Sequence, residues 1–388
     1  MRRMLIGIDI NCLIFEKAGF GRYTASLVKN LLKIDQKNQY ILYASFIRHR
    51  AERQKILEDL IRKTGAKNAE IKIISIPAAW KEFLTGFNFP LQSLIKDPLD
   101  VYFAPHFAGI PQKGFKNMIV TIQDLVFLKY PEHRGKRLSN YYLKRTKIAV
   151  ENSKQIIASS NSTRRDLIGL LGAPARKIKV IHLGVGPNFK VFKNQSILAE
   201  KISRYVRAKQ KYILTVGTLE PRKNLSAIAK AFVLLPNSLQ REHKLMFVGA
   251  KGWNNNELGQ IIRDYNLTEK VVFPGFVKDE DLPYIYNKAS LFVFPSLYEG
   301  FGLPPLEAMA CGVPVISSGT SSLPEVIGKA GILVNPNREE EIAKAMRYVL
   351  TNPDVAKQMT KKGLKQAKKF SWQKTAQETL KIFQKVAK

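Results

Sequence analysis

Short apolar or β-branched runs alternate with longer amphipathic segments along nearly the whole chain, and the alternation restarts once. That pattern confines the fold to two α/β domains, each built on a parallel sheet. Leu5–Ile8, Tyr40–Ala44, Ile71–Ile74, Met118–Ile122, Gln155–Ala158 and Ile178–Ile181 read as strands of the first domain. Arg22–Ile34, with Ala25, Val28, Leu31 and Leu32 on one face, reads as its first helix. The restart follows Gly184-Val-Gly-Pro-Asn188, with strands expected at Tyr212–Val216, Lys244–Val248, Val271–Phe273, Leu291–Phe294 and Val313–Ile316. Domains of 1–185 and 186–388 are expected, the second ending in a helix over 371–388 whose packing the sequence leaves open. Ligands of doubly wound sheets bind outside the carboxyl ends of the strands, so the two domains are expected to face across a cleft that holds the site.

A chain of 388 residues that is 45% apolar can bury two cores. The apolar run before Asp9 is too short for a signal peptide, and no stretch approaches the roughly 18 apolar residues of a membrane span, so a cytoplasmic protein is expected. Cys12 and Cys311 lack disulfide or zinc spacing, which suits a reducing compartment. The formal charge of +32 implies an anionic partner, and residues 1–190 hold 33 of the 63 basic and 14 of the 31 acidic side chains. The densest basic stretch is Lys129, Arg134, Lys136, Arg137, Lys144, Arg145 and Lys147, with Tyr130, Tyr141 and Tyr142 interleaved. It fits either a solvated helix face or a patch for anionic lipid at the inner face of the cell membrane. Nucleic acid is disfavoured, because no helix-turn-helix, zinc-finger or RNA-binding aromatic signature accompanies the charge.

The chemistry concentrates between Leu291 and Ser317, which spell a βαβ unit: a strand, a loop holding Gly300 and Gly302, a short helix from about Pro305, a stop at Gly312, and a second strand. Free backbone N–H groups at a helix start suit phosphate. Glu299 precedes the loop and Glu307 lies in the first helical turn, so both can face one ligand, and carboxylates suit the paired hydroxyls of a ribose or hexose. Glu307 could instead complement the helix dipole.

This segment, continuing to Ser318, resembles the Glu-x7-Glu signature of glycosyltransferase family 4, the retaining GT-B enzymes, and the resemblance extends over nearly the whole chain. It implies that Glu299 sits beside the donor sugar and reacting centre, that Glu307 holds the nucleotide ribose, and that amides around Phe301, Gly302 and Leu303 meet sugar and phosphates. The block from Val216 and Gly217 to Asn224 resembles the family's phosphate site, with Arg222 and Lys223 placed to neutralise a diphosphate. Many members carry an Arg where this chain has Thr218. Ala18-Gly-Phe-Gly-Arg22 resembles the glycine-rich loop near donor phosphates and acceptor, through Gly19 and Gly21. Leu99 to His106 resembles the block whose histidine lies near the reacting carbon, although a lone His is often structural. Asp124 is implied in acceptor binding, with Gln123 standing where many members have His. Phe276 and Val277 match the place that meets the nucleotide base.

Two features are read more plainly. Asp279-Glu-Asp281 spells a metal-like motif but precedes Leu282–Lys288, so acidic capping of that helix is expected. Trp80, Phe83, Phe87 and Phe89 near Lys81 suit core packing or an acceptor or membrane surface. Together these readings predict a metal-independent retaining hexosyltransferase, with no cofactor, that resembles bacterial mannosyltransferases of surface polysaccharide assembly. The expected donor is GDP-mannose, with UDP-glucose the alternative, and the expected acceptor is a glycan or lipid-linked intermediate. A GT-B sugar-nucleotide epimerase and a basic nucleic-acid-binding protein are the rival classes.

Overall fold

The computed structural model describes residues 2–15, 19–46, 49–74, 95–107, 114–133, 135–207, 210–250, 252 and 256–388. Seven parallel strands, β1 (Leu5–Asp9), β2 (Gln39–Ser45), β3 (Ala69–Ile74), β4 (Val101–Ala104), β5 (Met118–Ile122), β6 (Gln155–Ala158) and β7 (Ile178–Val180), lie in the order β3-β2-β1-β4-β5-β6-β7. The order reverses between β1 and β4, the switch point at which such sheets leave a crevice for ligands. Strand β4 was not among the strands read from the pattern, but it ends inside the Leu99–His106 segment, whose resemblance is to a strand-end block. It has four residues between Pro98 and Pro105, and all four are buried.

The helix Phe20–Ile34 begins at this switch point. It buries Tyr23, Leu27 and Leu31 beside Thr24, Val28 and Leu32, two rows at helical spacing. The helix Trp372–Val386 packs on it, with Trp372 and Tyr23 rings 6.0 Å apart. Ser371 caps that helix by accepting from the Lys374 N–H at 3.2 Å, and Thr375 donates to the carbonyl of His182 at 2.8 Å. Phe383 lies 5.2 Å from Phe103 of β4. The compact units are therefore Met1–Gly184 with Ser371–Lys388, and Val185–Phe370. The terminal helix belongs with the first sheet, not with the second domain where 371–388 was expected, because first-unit residues cover its apolar stripe.

In the second unit β8 (Lys211–Val216), β9 (His243–Val248), β10 (Val271–Gly275), β11 (Leu291–Phe294), β12 (Val315–Ser318) and β13 (Ile332–Val334) form a parallel sheet ordered β10-β9-β8-β11-β12-β13. Strand β13 is an edge strand of three residues that escaped the pattern. Strand β12 starts two residues later than expected because Gly312 and Val313 close the preceding helix. Their amides donate to the carbonyls of Met309 at 3.1 Å and Ala308 at 3.0 Å, a Schellman turn with Gly312 at φ 77°. Cys12 and Cys311 are buried and form no disulfide, and among the described residues no helix is long and apolar enough to cross a membrane.

Candidate functional site

In the second unit the chain leaves β8 at Gly217 and makes a 3-10 turn over Pro221–Lys223. Asn224, at φ 58°, then turns it into the helix Leu225–Val233. Asparagine tolerates that left-handed conformation, and its side-chain amide ties the turn to the carbonyl of Pro336 at 2.7 Å. The turn directs Arg222 and Lys223 at the loop after β11. Lys223 Nζ donates to Glu299 Oε1 at 2.6 Å, Arg222 Nη1 lies 2.9 Å from the same oxygen, and Ser296 Oγ donates to it at 2.7 Å. Arg222 also pairs with Glu220 and donates to the carbonyl of Tyr298.

Two cations and two carboxylates are thus condensed into one buried cluster. Burial alone would raise the Glu299 carboxyl. The charges of Arg222 and Lys223, with hydrogen bonds from Lys223 and Ser296, outweigh it and hold the group down at about 2. Burial and the adjacent Arg222 charge pull the Lys223 ammonium below the usual lysine value in spite of Glu299.

The loop carrying Glu299 is fixed from β12. The Glu299 N–H donates to Ser321 Oγ at 2.9 Å, and Ser322 Oγ donates to the carbonyls of Glu299 and Phe301, each at 2.8 Å. Gly302, at φ 111°, leads into the helix Leu303–Ala310, which starts two residues before the expected Pro305. The helix start is a poorer N–H donor than expected, because Pro304 and Pro305 have no N–H and Leu306 donates to Gly302 at 3.4 Å.

Glu307 is buried on the same helix, and Tyr286 donates its phenol to Glu307 Oε2 at 3.0 Å. Phe301 is buried edge-on against Phe370 at 5.8 Å. After β10, Phe276 is 66% exposed while Val277 is buried, so only Phe276 presents its side chain to solvent.

In the first unit, His106 follows β4 and Phe20 follows Gly19. Their rings are 4.0 Å apart, which brings the glycine-rich loop of Gly19 and Gly21 to the histidine, and Phe107 lies 4.5 Å away on the same ring. Asp124 accepts from the Val126 N–H at 3.1 Å, and the carbonyl of Gln123 accepts from Ser159 and Thr163. These groups shape the end of β5.

Glu220, Ser296, Tyr286, Ser321 and Ser322 were not foreseen as site residues. Glu220 stood inside the quoted 216–224 block, whereas the partners of the others become visible only once the strands are aligned. Asp281 sits at the helix cap position as expected, but its carboxylate accepts from Tyr205 at 2.8 Å and pairs with Arg204 at 3.6 Å instead of capping. Of the basic stretch, Arg145 is buried, Lys129 pairs with Asp166 at 3.2 Å, and Lys136, Arg137, Lys144 and Lys147 are exposed. Arg134, and Trp80, Lys81, Phe83, Phe87 and Phe89, lie outside the described residues.

Comparison with known proteins places these elements. The family model "Glycosyl transferases group 1" matches residues 199–366 and "Glycosyltransferase Family 4" matches residues 18–189. O-antigen chain mannosyltransferase B of Escherichia coli is 34% identical over 283 residues, 73% of this chain and 74% of that protein. The serotype-specific mannosyltransferase WbdA of Escherichia coli is 36% identical over 230 residues, 58% of this chain but 28% of its own length. Among solved structures, Anabaena HepE in complex with UDP and glucose superposes with TM-score 0.73 at 17% identity, covering 99% of this chain and 100% of that one. WaaG, a glycosyltransferase involved in lipopolysaccharide biosynthesis, gives TM-score 0.73 at 15% identity, covering 98% and 99%. At such identities the likeness shows the fold, which is GT-B.

Proposed function

The chain belongs to the glycosyltransferases of family 4 and group 1, and from that premise we propose that it transfers mannose from GDP-mannose to an acceptor hydroxyl with retention of configuration. The observation that carries the reading is the buried cluster of Arg222, Lys223 and Glu299 beside the helix that bears Glu307. Two cations on a rigid turn suit a diphosphate, and a carboxylate held ionised beside them suits a sugar hydroxyl. In this reading a bound diphosphate shares Arg222 and Lys223 with Glu299, and the growing charge of the departing nucleotide is met by those cations and by the amides of Gly302 and Leu303. Positive charge fixed before the reaction stabilises a leaving group without reorganisation.

The cations do the neutralising that a metal does in other transferases. Glu307, steadied by Tyr286, holds the ribose. His106 and Asp124 act on the acceptor side. The acceptor is a lipid-linked or polysaccharide intermediate, in keeping with the O-antigen mannosyltransferases among the relatives, and the chain works in the cytoplasm at an anionic membrane face. HepE, whose structures hold UDP and UDP-glucose, makes UDP-glucose the competing donor.

Thermal-shift measurements with GDP-mannose and UDP-glucose, followed by transfer assays with and without chelator, test the reading, since a ligand stabilises the fold according to its affinity. Stabilisation by GDP-mannose and chelator-resistant transfer are expected. Preference for UDP-glucose overturns the donor, and activity lost to chelator and restored by manganese overturns the metal-free mechanism.

A further inference from the structure

A cavity of about 480 Å³ opens in the first unit at the amino ends of β5, β6 and β7, the end of the sheet opposite the switch-point crevice. Its lining includes Lys116, Lys154, Arg176, Lys177 and Lys385, opposed by Glu151. Two of these cations have structural work. Lys154 Nζ donates to the carbonyl of Val386 at 2.8 Å, and Lys177 Nζ donates to the carbonyl of Glu151 at 3.1 Å, each satisfying the last turn of a helix that ends at the cavity. The two helix ends each present about half a negative charge, so together with Glu151 they offset about two of the five cations. Lys116, Arg176 and Lys385 remain in surplus, and among the described residues none of the three has a carboxylate within ion-pair distance.

We infer that this cavity is a second anion site, which takes a ligand bearing more than one phosphate charge at Lys116, Arg176 and Lys385. The concave wall brings three unmatched cations from three separate segments around one volume, an arrangement that helix capping does not require. It lies at the amino ends of the strands, whereas the loop of Gly19 and His106 lies at the carboxyl ends. Its phosphates can come from a soluble polyphosphate-bearing molecule or from clustered lipid headgroups.

The test titrates the full chain with inorganic tripolyphosphate and, separately, with phosphatidylglycerol-containing vesicles. Neither variant below touches Arg222 or Lys223, so binding at the nucleotide site is common to all chains and cancels in the comparison. The variant K116Q/R176Q/K385Q is compared with K357Q/K361Q/K365Q, which removes the same charge from an exposed helix of the second unit. Binding about tenfold weaker in the first variant alone is expected. That loss in the tripolyphosphate arm identifies a soluble ligand, and the same loss confined to vesicles identifies headgroups. Equal losses in both variants, or none in either, mean that diffuse charge attracts the anion and overturn the site.

Discussion

Lys223 donates to Glu299 across 2.6 Å with both side chains buried, and 76 residues of sequence separate them. A buried ion pair loses most when a single partner is removed, because the other charge is then left in a low dielectric. Glu299→Gln keeps the shape of the side chain but leaves the buried Lys223 ammonium without its carboxylate, while Arg222 keeps Glu220, so a loss of about 3 kcal/mol in urea unfolding is expected. Transfer should fall by about a hundredfold or more while the nucleotide still binds. Unchanged stability in the variant would show that the cluster is not closed in solution.

The same pair sets an acid limit. The carboxyl of Glu299 is depressed from an ordinary 4.5 to about 2, so its contribution is complete above the unfolded value and is lost as pH falls from about 4.5 towards 2. The amount is on the order of 3 kcal/mol. Urea midpoints of the native chain and of Glu299→Gln should therefore converge between about pH 7 and about pH 3. A constant gap across that range would contradict the depressed carboxyl.

What could be read in advance followed the range of the interactions. The alternation that located most strands is local, and so is the Glu299-to-Glu307 spacing along one loop and helix. The ion cluster is not local: Arg222 and Lys223 suggested phosphate, and nothing in their own segment announced that Glu299 would already hold both. Strands β4 and β13 were not among the strands read from the pattern, although runs as short, Gln155–Ala158 and Val271–Phe273, were. The prolines after Gly302 marked a helix start correctly, yet they also removed two of the donors that a helix start was expected to offer.

Tyr286 is the support of Glu307, donating to Oε2 at 3.0 Å. Tyr286→Phe removes that hydrogen bond and little volume. Donor KM should rise about fivefold with kcat within about twofold, since a neutral hydrogen bond is worth about 1 kcal/mol. Glu307→Ala should raise donor KM further, whereas Glu299→Ala should act mainly on kcat. Equal and mild effects of the two alanine variants in steady-state assays would defeat the division of roles.

Gly249 and Gly302 separate backbone from side-chain constraint. A Cβ at Gly249 would stand 1.9 Å from the carbonyl oxygen of Gly217, at the start of the loop that carries Arg222 and Lys223. A Cβ at Gly302 would meet Leu323 Cδ2 at 2.8 Å, the end of a side chain that can turn away. Gly302→Ala should cost about 1–3 kcal/mol from its positive φ. Gly249→Ala should cost more and also weaken nucleotide binding, as read by thermal shift with the nucleotide. The reverse order would mean that the ends of β8 and β9 yield more easily than their contact suggests.

Trp372 tests the assignment of the terminal helix. Its side chain is buried beside Tyr23, and a Cβ added to Gly184 would fall 2.1 Å from the Trp372 amide nitrogen, so the chain crosses itself tightly where it re-enters the first unit. Trp372→Ala opens a cavity over the helix Phe20–Ile34 and should destabilise by about 3–5 kcal/mol. The loss should be local. Hydrogen exchange should quicken in Phe20–Ile34 and β4, which pack on the terminal helix through Tyr23 and Phe103, while β8, β11 and β12 keep their protection. Faster exchange in the second sheet instead would return the helix to the domain where its place in the sequence suggested it belonged.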